Sequence, residues 1–421
     1  MRARSVVAFI AVFSVGCSAL LGVKDIYLDE DGTPGGDGSA DGTLGDGGPN
    51  NPDGTVLPDG NVTCNADLQT DPKNCGRCGR DCLGAACTAG RCDPIVLASG
   101  LTNPSGLWLT ADKVYITTGP HHATPPAGKI LELGKTAGVA PKQIRGGQVE
   151  PWGLFIDGTT LYWADSDYTN NNTDRHGGIW KCTLPACATE TLVVAAEWPV
   201  NPILVDGVIY IPEANASQFS RVLLNGQQQY VVLTGGSAPL NIAADKTHVY
   251  GTATATSLYR AFLDGGGEEP VGPQATPIGS PPPYDIAIPG DIKLDNDRYY
   301  YSYSWTDETD GGRVVSRSKA NVAGPLLEYG VGSGNTRPRG IALDNTYIYW
   351  TNWGTNVGNI SNSDGDVRAC PKAGCPASGP IILAKDLAKP YHIAVDDTAV
   401  YVSLYTSTDQ ATGQILKIAK P

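Results

Sequence analysis

The chain has little of what helical or nucleic-acid-binding proteins are made from. Of its 421 residues one is Met and five are Phe, and its 30 Lys and Arg form no dense run. Phosphate backbones demand clustered cations, so a chain with a formal net charge of -13 is not built to bind nucleic acid. Its longest early apolar run, Val6 to Val15, is too short to cross a bilayer. Nucleophilic catalysis also lacks its usual frame: no G-x-S-x-G elbow occurs, and "GGSAP" (Gly235 to Pro239) misses the second glycine. The eight tryptophans do not recur in the regular docking repeat that a quinone cofactor would require.

Glycine and proline are abundant instead, 52 and 31, together with 19 Tyr. This composition favours turns and strands over helices. Eleven cysteines leave one without a mate. Arg2 and Arg4 followed by the apolar run read as an export signal over residues 1–16. Its end, Ser14-Val15-Gly16-Cys17, resembles a bacterial lipobox, which makes Cys17 the lipidation site and 17–28 a lipidated N-terminus. Ser18 resembles the signal for passage to an outer membrane, so the expected location is the bacterial outer membrane or cell surface. The ten remaining cysteines then pair as five disulfides, as an oxidising compartment permits.

Residues 29–61 carry eight acidic side chains, no basic ones and almost nothing apolar, which predicts a disordered tether. Residues 62–93 hold six cysteines, "CNADLQTDPKNCGRCGRDCLGAACTAGRC". Asp71, Asn74-Cys75-Gly76, Cys78-Gly79, Cys82 and Gly90-Arg91-Cys92 resemble the stigma-specific cysteine-rich family. Disulfides are the expected staples of so small a module, with a zinc knuckle on Cys75, Cys78 and Cys82 as the alternative.

From residue 94 onward one spacing repeats. Pro104, Pro151, Pro199, Pro239, Pro289, Pro338 and Pro390 are each followed eleven residues later by Tyr115, Tyr162, Tyr210, Tyr250, Tyr300, Tyr349 and Tyr401. The prolines stand 47, 48, 40, 50, 49 and 52 residues apart, the period of a four-stranded propeller blade. Asp157, Asp245, Asp295, Asp344 and Asp396 stand five residues before their tyrosines and predict the hairpin between first and second strands. The last unit lacks a fourth strand, and "PIVLASGL" (Pro94 to Leu101) matches the "PIILAKDL" (Pro380 to Leu387) of the preceding unit. The expected fold is therefore all-β, a seven-bladed propeller over 94–421 whose last blade is closed by an N-terminal strand. Cys182 with Cys187 and Cys370 with Cys375 fall at hairpins between third and fourth strands, where they act as staples. "LYWAD" (Leu161 to Asp165) and "IYWTN" (Ile348 to Asn352) resemble the second strands of YWTD-type extracellular propellers, which implies fold alone.

Two places invite function. The connections between blades and between second and third strands are long, varied and rich in Asn, Asp and aromatics, and carry Tyr168, His176, Trp305 and Trp353. They predict a surface for a protein or polysaccharide partner. The second place lies two residues after each blade-opening proline: Gly106, Gly153, Asn201, Asn241, Asp291, Gly340 and His392. This column is expected at the channel mouth on the same face, with the glycines leaving space. It resembles the metal sites of gluconolactonase-like and paraoxonase-like propellers and, more loosely, virginiamycin B lyase. That resemblance implies Ca²⁺ or Mg²⁺ on Asn201, Asn241, Asp291 and His392, with His392 as ligand or base of a lactonase or lyase. The competing expectation is that these small polar groups satisfy backbone at strand starts.

Overall fold

The computed structural model describes residues 54–56, 62–120, 126–166, 176–234, 237–254, 257–272, 288–304, 312–330, 336–357, 360–361, 363–406 and 411–421. Cys17, Tyr168 and Trp305 lie outside them, as does the tract 121–125. Among the described residues there are strands and turns and no helix.

Seven four-stranded antiparallel sheets follow one another along the chain. Blade 1 begins with Gly106–Leu109, blade 2 with Pro151–Asp157, blade 3 with Ile203–Val205 and blade 4 with Ser237–Ala244. Blades 5, 6 and 7 begin with Ile288–Leu294, Pro338–Leu343 and Pro390–Val395. The fourth strand of blade 7 is Ile95–Leu101, which pairs with Gly413–Ala419 from the other end of the chain. The ring is thus closed by strand pairing, with no open edge at the junction.

The hydrophobic core is divided into seven clusters, each between two neighbouring blades. This explains the proline-to-tyrosine spacing. Tyr115 packs between blades 1 and 2, Tyr162 between 2 and 3, Tyr210 between 3 and 4, and so on around to Tyr401 between 7 and 1. The next residue along each second strand points the opposite way, as strand geometry requires. Trp163 and Trp350, both with no exposed surface, therefore belong to the preceding interfaces. Buried on both faces, these strands read as near-continuous apolar runs.

The aspartates do more than shape hairpins. Oδ1 of Asp396 accepts the amides of Thr398 and Ala399, while Oδ2 accepts the hydroxyl of Tyr401 at 3.0 Å and the ammonium of Lys135, from blade 1, at 2.8 Å. The arrangement recurs: Lys372 of blade 6 reaches Asp295 at 3.1 Å, Lys420 of blade 7 reaches Asp344 at 2.5 Å, and Lys319 of blade 5 reaches Asp245 at 2.9 Å. In each case the lysine comes from the blade that follows. Burial pushes these carboxyls up, but the lysine and amide hydrogen bonds outweigh it and all four are held below the usual carboxylate range. A depressed folded-state pKa stabilises above the unfolded value near 4 and is lost as pH falls through it. We expect the melting temperature to hold from pH 8 to about 5 and to fall below about 4, each pair contributing on the order of 1 kcal/mol after solvent screening. Asp396→Asn should remove its share of that slope in melts taken at several pH values; an unchanged slope would show that other carboxyls carry it.

The small module is disulfide-bonded: Cys75 with Cys87 and Cys82 with Cys92, with Cys78 in a disulfide as well. The zinc knuckle expected as the alternative does not fit this pairing, since the sulfurs of Cys75 and Cys82 are joined to Cys87 and Cys92 and that of Cys78 is in a disulfide too. Cys182–Cys187 and Cys370–Cys375 pair as their spacing predicts. The module seats on blade 7. Arg80 donates to the carbonyls of Lys420 and Ala419 at 3.0 and 3.4 Å, and Ala419 joins the cysteines in one apolar cluster.

Candidate functional site

The structure brings Asn201, Asn241, Asp291 and His392 together around the propeller axis, where all four line one cavity. Their side chains reach toward the next blade. Asn201 Nδ2 donates to Leu240 O at 3.1 Å and to Asn241 Oδ1 at 2.9 Å, and Asn241 Nδ2 donates in turn to Gly290 O. Asp291 Oδ2 accepts the amide of Ile341 at 3.0 Å. The glycines of the column leave no space. A Cβ on Gly106, Gly153 or Gly340 would lie 2.5 to 2.7 Å from backbone atoms of the following blade, at Trp152 O, Asn201 Cα and Tyr391 O. Seven first strands converge here, and the column is a collar that stitches them.

The donor set is already engaged. Lys293 Nζ stands 2.8 Å from both carboxylate oxygens of Asp291, and Oδ1 also accepts the amide of Ile292 at 2.7 Å. A divalent cation would have to displace this ammonium. His392 is held neutral at pH 7: burial lowers its pKa to about 4, with Lys293 adding to the effect and Asp291 opposing it.

A second set of stitches escaped the sequence reading. Two residues beyond the repeat tyrosines, Thr117, Ser302 and Thr351 donate their hydroxyls to Trp152 O, Arg339 O and Tyr391 O of the next blade, at 2.5, 2.7 and 2.8 Å. The signal was present, since Ser or Thr fills this position in five of seven repeats: Thr117, Thr252, Ser302, Thr351 and Ser403.

The collar is not at the mouth on the varied-loop side. On that side Leu240, Arg339 and Tyr391 cover it and leave a space of only about 20 Å³. The larger cavity, about 510 Å³, runs the other way, along the first strands to residues such as Ala244, Leu294 and Val395 beside the first-to-second-strand hairpins.

The varied-loop side presents an aromatic cluster. Trp353 follows the second strand of blade 6 (Tyr347–Asn352), and its amide donates to Arg337 O at 3.0 Å. Its ring meets Tyr391 edge-on at 5.6 Å and Tyr405 at 5.7 Å, and those two tyrosines lie 5.3 Å apart. The cationic groups of Arg339 and Lys389 each lie 5.5 Å from the Trp353 ring. Burial lowers the pKa of both. Trp353, Tyr391 and Tyr405 are all half-buried, neither sealed in the core nor loose on the surface. His176 opens the third strand of blade 2 on this same side, its backbone paired with Glu197.

No protein-family model matches the chain. No curated protein matches it either. Among solved structures, the GH74 enzyme of Niastella koreensis superposes with a TM-score of 0.53 at 12% identity, covering 73% of this chain and 52% of that one. A chain of the nidogen/laminin complex gives 0.42 at 17% identity, over 64% of this chain and 95% of its own. The computationally designed Ika8 protein gives 0.47 at 9% identity, over 77% and 98%. The likeness is one of architecture, and at these identities it carries no activity.

Proposed function

We propose that this protein is an exported lipoprotein, anchored through Cys17 at the bacterial outer membrane or cell surface, whose propeller holds a protein or polysaccharide partner on its varied-loop side. The observation that carries this reading is the Trp353, Tyr391 and Tyr405 cluster with Arg339 and Lys389 over the Trp353 ring. Aromatic faces framed by cations are the surfaces that sugar rings and peptide segments use, and Trp, Tyr and Arg dominate binding hot spots. Disulfides in both the module and the blades suit an oxidising location outside the cytoplasm.

The test begins with Cys17→Ser, which should move the protein from the membrane to the soluble fraction. That soluble chain is then bound to cell-envelope preparations and to immobilised polysaccharides. Trp353→Ala should weaken retention by roughly thirtyfold, the scale of a hot-spot residue, while shifting the melting temperature by only a few degrees. Retention undiminished in a folded Trp353→Ala protein would move the partner off this surface.

A further inference from the structure

The cavity of about 510 Å³ opens away from the aromatic cluster and is independent of the partner surface. Its volume falls in the range of about 300–1,000 Å³ typical of small-molecule sites. The walls are aliphatic, from Leu204, Leu294, Leu343 and Val395 among others, with Trp108 contributing an indole that is 37% exposed. The polar groups gather at the collar end.

One of those groups, Asn201, has capacity to spare. The amide of Asn201 is oriented by its Nδ2 bonds to Leu240 O and Asn241 Oδ1, so Oδ1 is the group left to accept a hydrogen bond, and nothing among the described residues donates to it. The Lys293 side chain lines the same cavity and remains 43% exposed, but its ammonium is engaged by both carboxylate oxygens of Asp291 and by Ile292 O at 3.3 Å. An open acceptor therefore borders one apolar space. The Asp291–Lys293 pair sums to no net charge. A charged guest would lose its hydration in an aliphatic cavity beside a closed ion pair, and an anion reaching Lys293 would also confront Asp291.

We infer that this cavity is a binding site for an uncharged, mostly apolar small molecule with a hydroxyl or amide end, its body against Trp108 and the aliphatic walls and its polar end at Asn201. A hydroxyl or a primary amide supplies the donor that Asn201 Oδ1 can accept.

The probe is 1-naphthol, titrated into the soluble Cys17→Ser chain by calorimetry and by tryptophan fluorescence, with naphthalene and 1-naphthoate as comparisons. One saturable site is expected, with 1-naphthol bound at least about tenfold more tightly than either. Trp108→Ala should weaken it about fivefold or more with the melt intact, and Asn201→Ala, confirmed folded, should reduce the preference over naphthalene. No saturable heat in the folded protein would overturn the site. Affinity unchanged in Trp108→Ala would place binding elsewhere. Naphthalene bound as well as 1-naphthol would remove the role of the polar end, and 1-naphthoate bound as well or better would overturn the uncharged class.

Discussion

A chain that starts at residue 102 should fail to form a monomeric propeller, whereas one that starts at residue 62 should melt cooperatively as a monomer. The shorter chain loses Ile95–Leu101, and with it Leu97, Ala98 and Leu101, which are 4, 6 and 6% exposed in the core between blades 7 and 1. Removing a buried leucine alone costs about 2–5 kcal/mol, and two are lost here against a net stability of about 5–15 kcal/mol for a domain. The truncation would also expose Gly413–Ala419 as an unpaired edge, open to association with any other strand. Size-exclusion chromatography and thermal melts of the two chains decide the matter. Identical monomeric melts would mean that the ring tolerates an open seam.

The second large effect is expected at the collar. Asp291→Ala deprives Lys293 of its carboxylate and strands the amide of Ile341 at the junction of blades 5 and 6. Loss of one partner from a largely buried pair costs about 3–5 kcal/mol, and the half-exposed lysine brings the expectation to roughly 2–4 kcal/mol. Asp291→Asn combined with Lys293→Met should recover most of it, because no charge is then left alone. The same proteins test the divalent-ion expectation. If the collar is stitching, the melting temperature of the parent chain is indifferent to millimolar Ca²⁺ or Mg²⁺ and to chelator. A melting temperature that rises with Ca²⁺, and no longer does so in Asp291→Asn, would establish a metal centre there.

These two experiments separate what the column after each proline is for. Its residue types, Asn, Asp and His among glycines, suit either a metal or a backbone stitch, and position in a repeat does not distinguish them. Direction distinguishes them: Asn201, Asn241 and Asp291 turn to the neighbouring blade, and the glycines are there because backbone lies within 3 Å of any Cβ. Trp353 was legible as an exposed aromatic in a varied loop, but Tyr391, Tyr405, Arg339 and Lys389 were not. They come from separate connections and meet only when blades 6 and 7 lie side by side.

The sequence by itself determined the number of blades, their order and their closure. One tyrosine per repeat must fill each interface, two chain ends must complete one sheet, and such local requirements leave a periodic trace. Cysteines five residues apart likewise declare a hairpin staple, because so short a loop offers few other partners. Only the tertiary structure decided which side of the ring the cavity opens on, that Lys293 occupies the one carboxylate of the collar, and which side chains surround Trp353. Those facts depend on the angles at which seven strands converge on an axis, and convergence is a property of the closed ring that no single repeat contains.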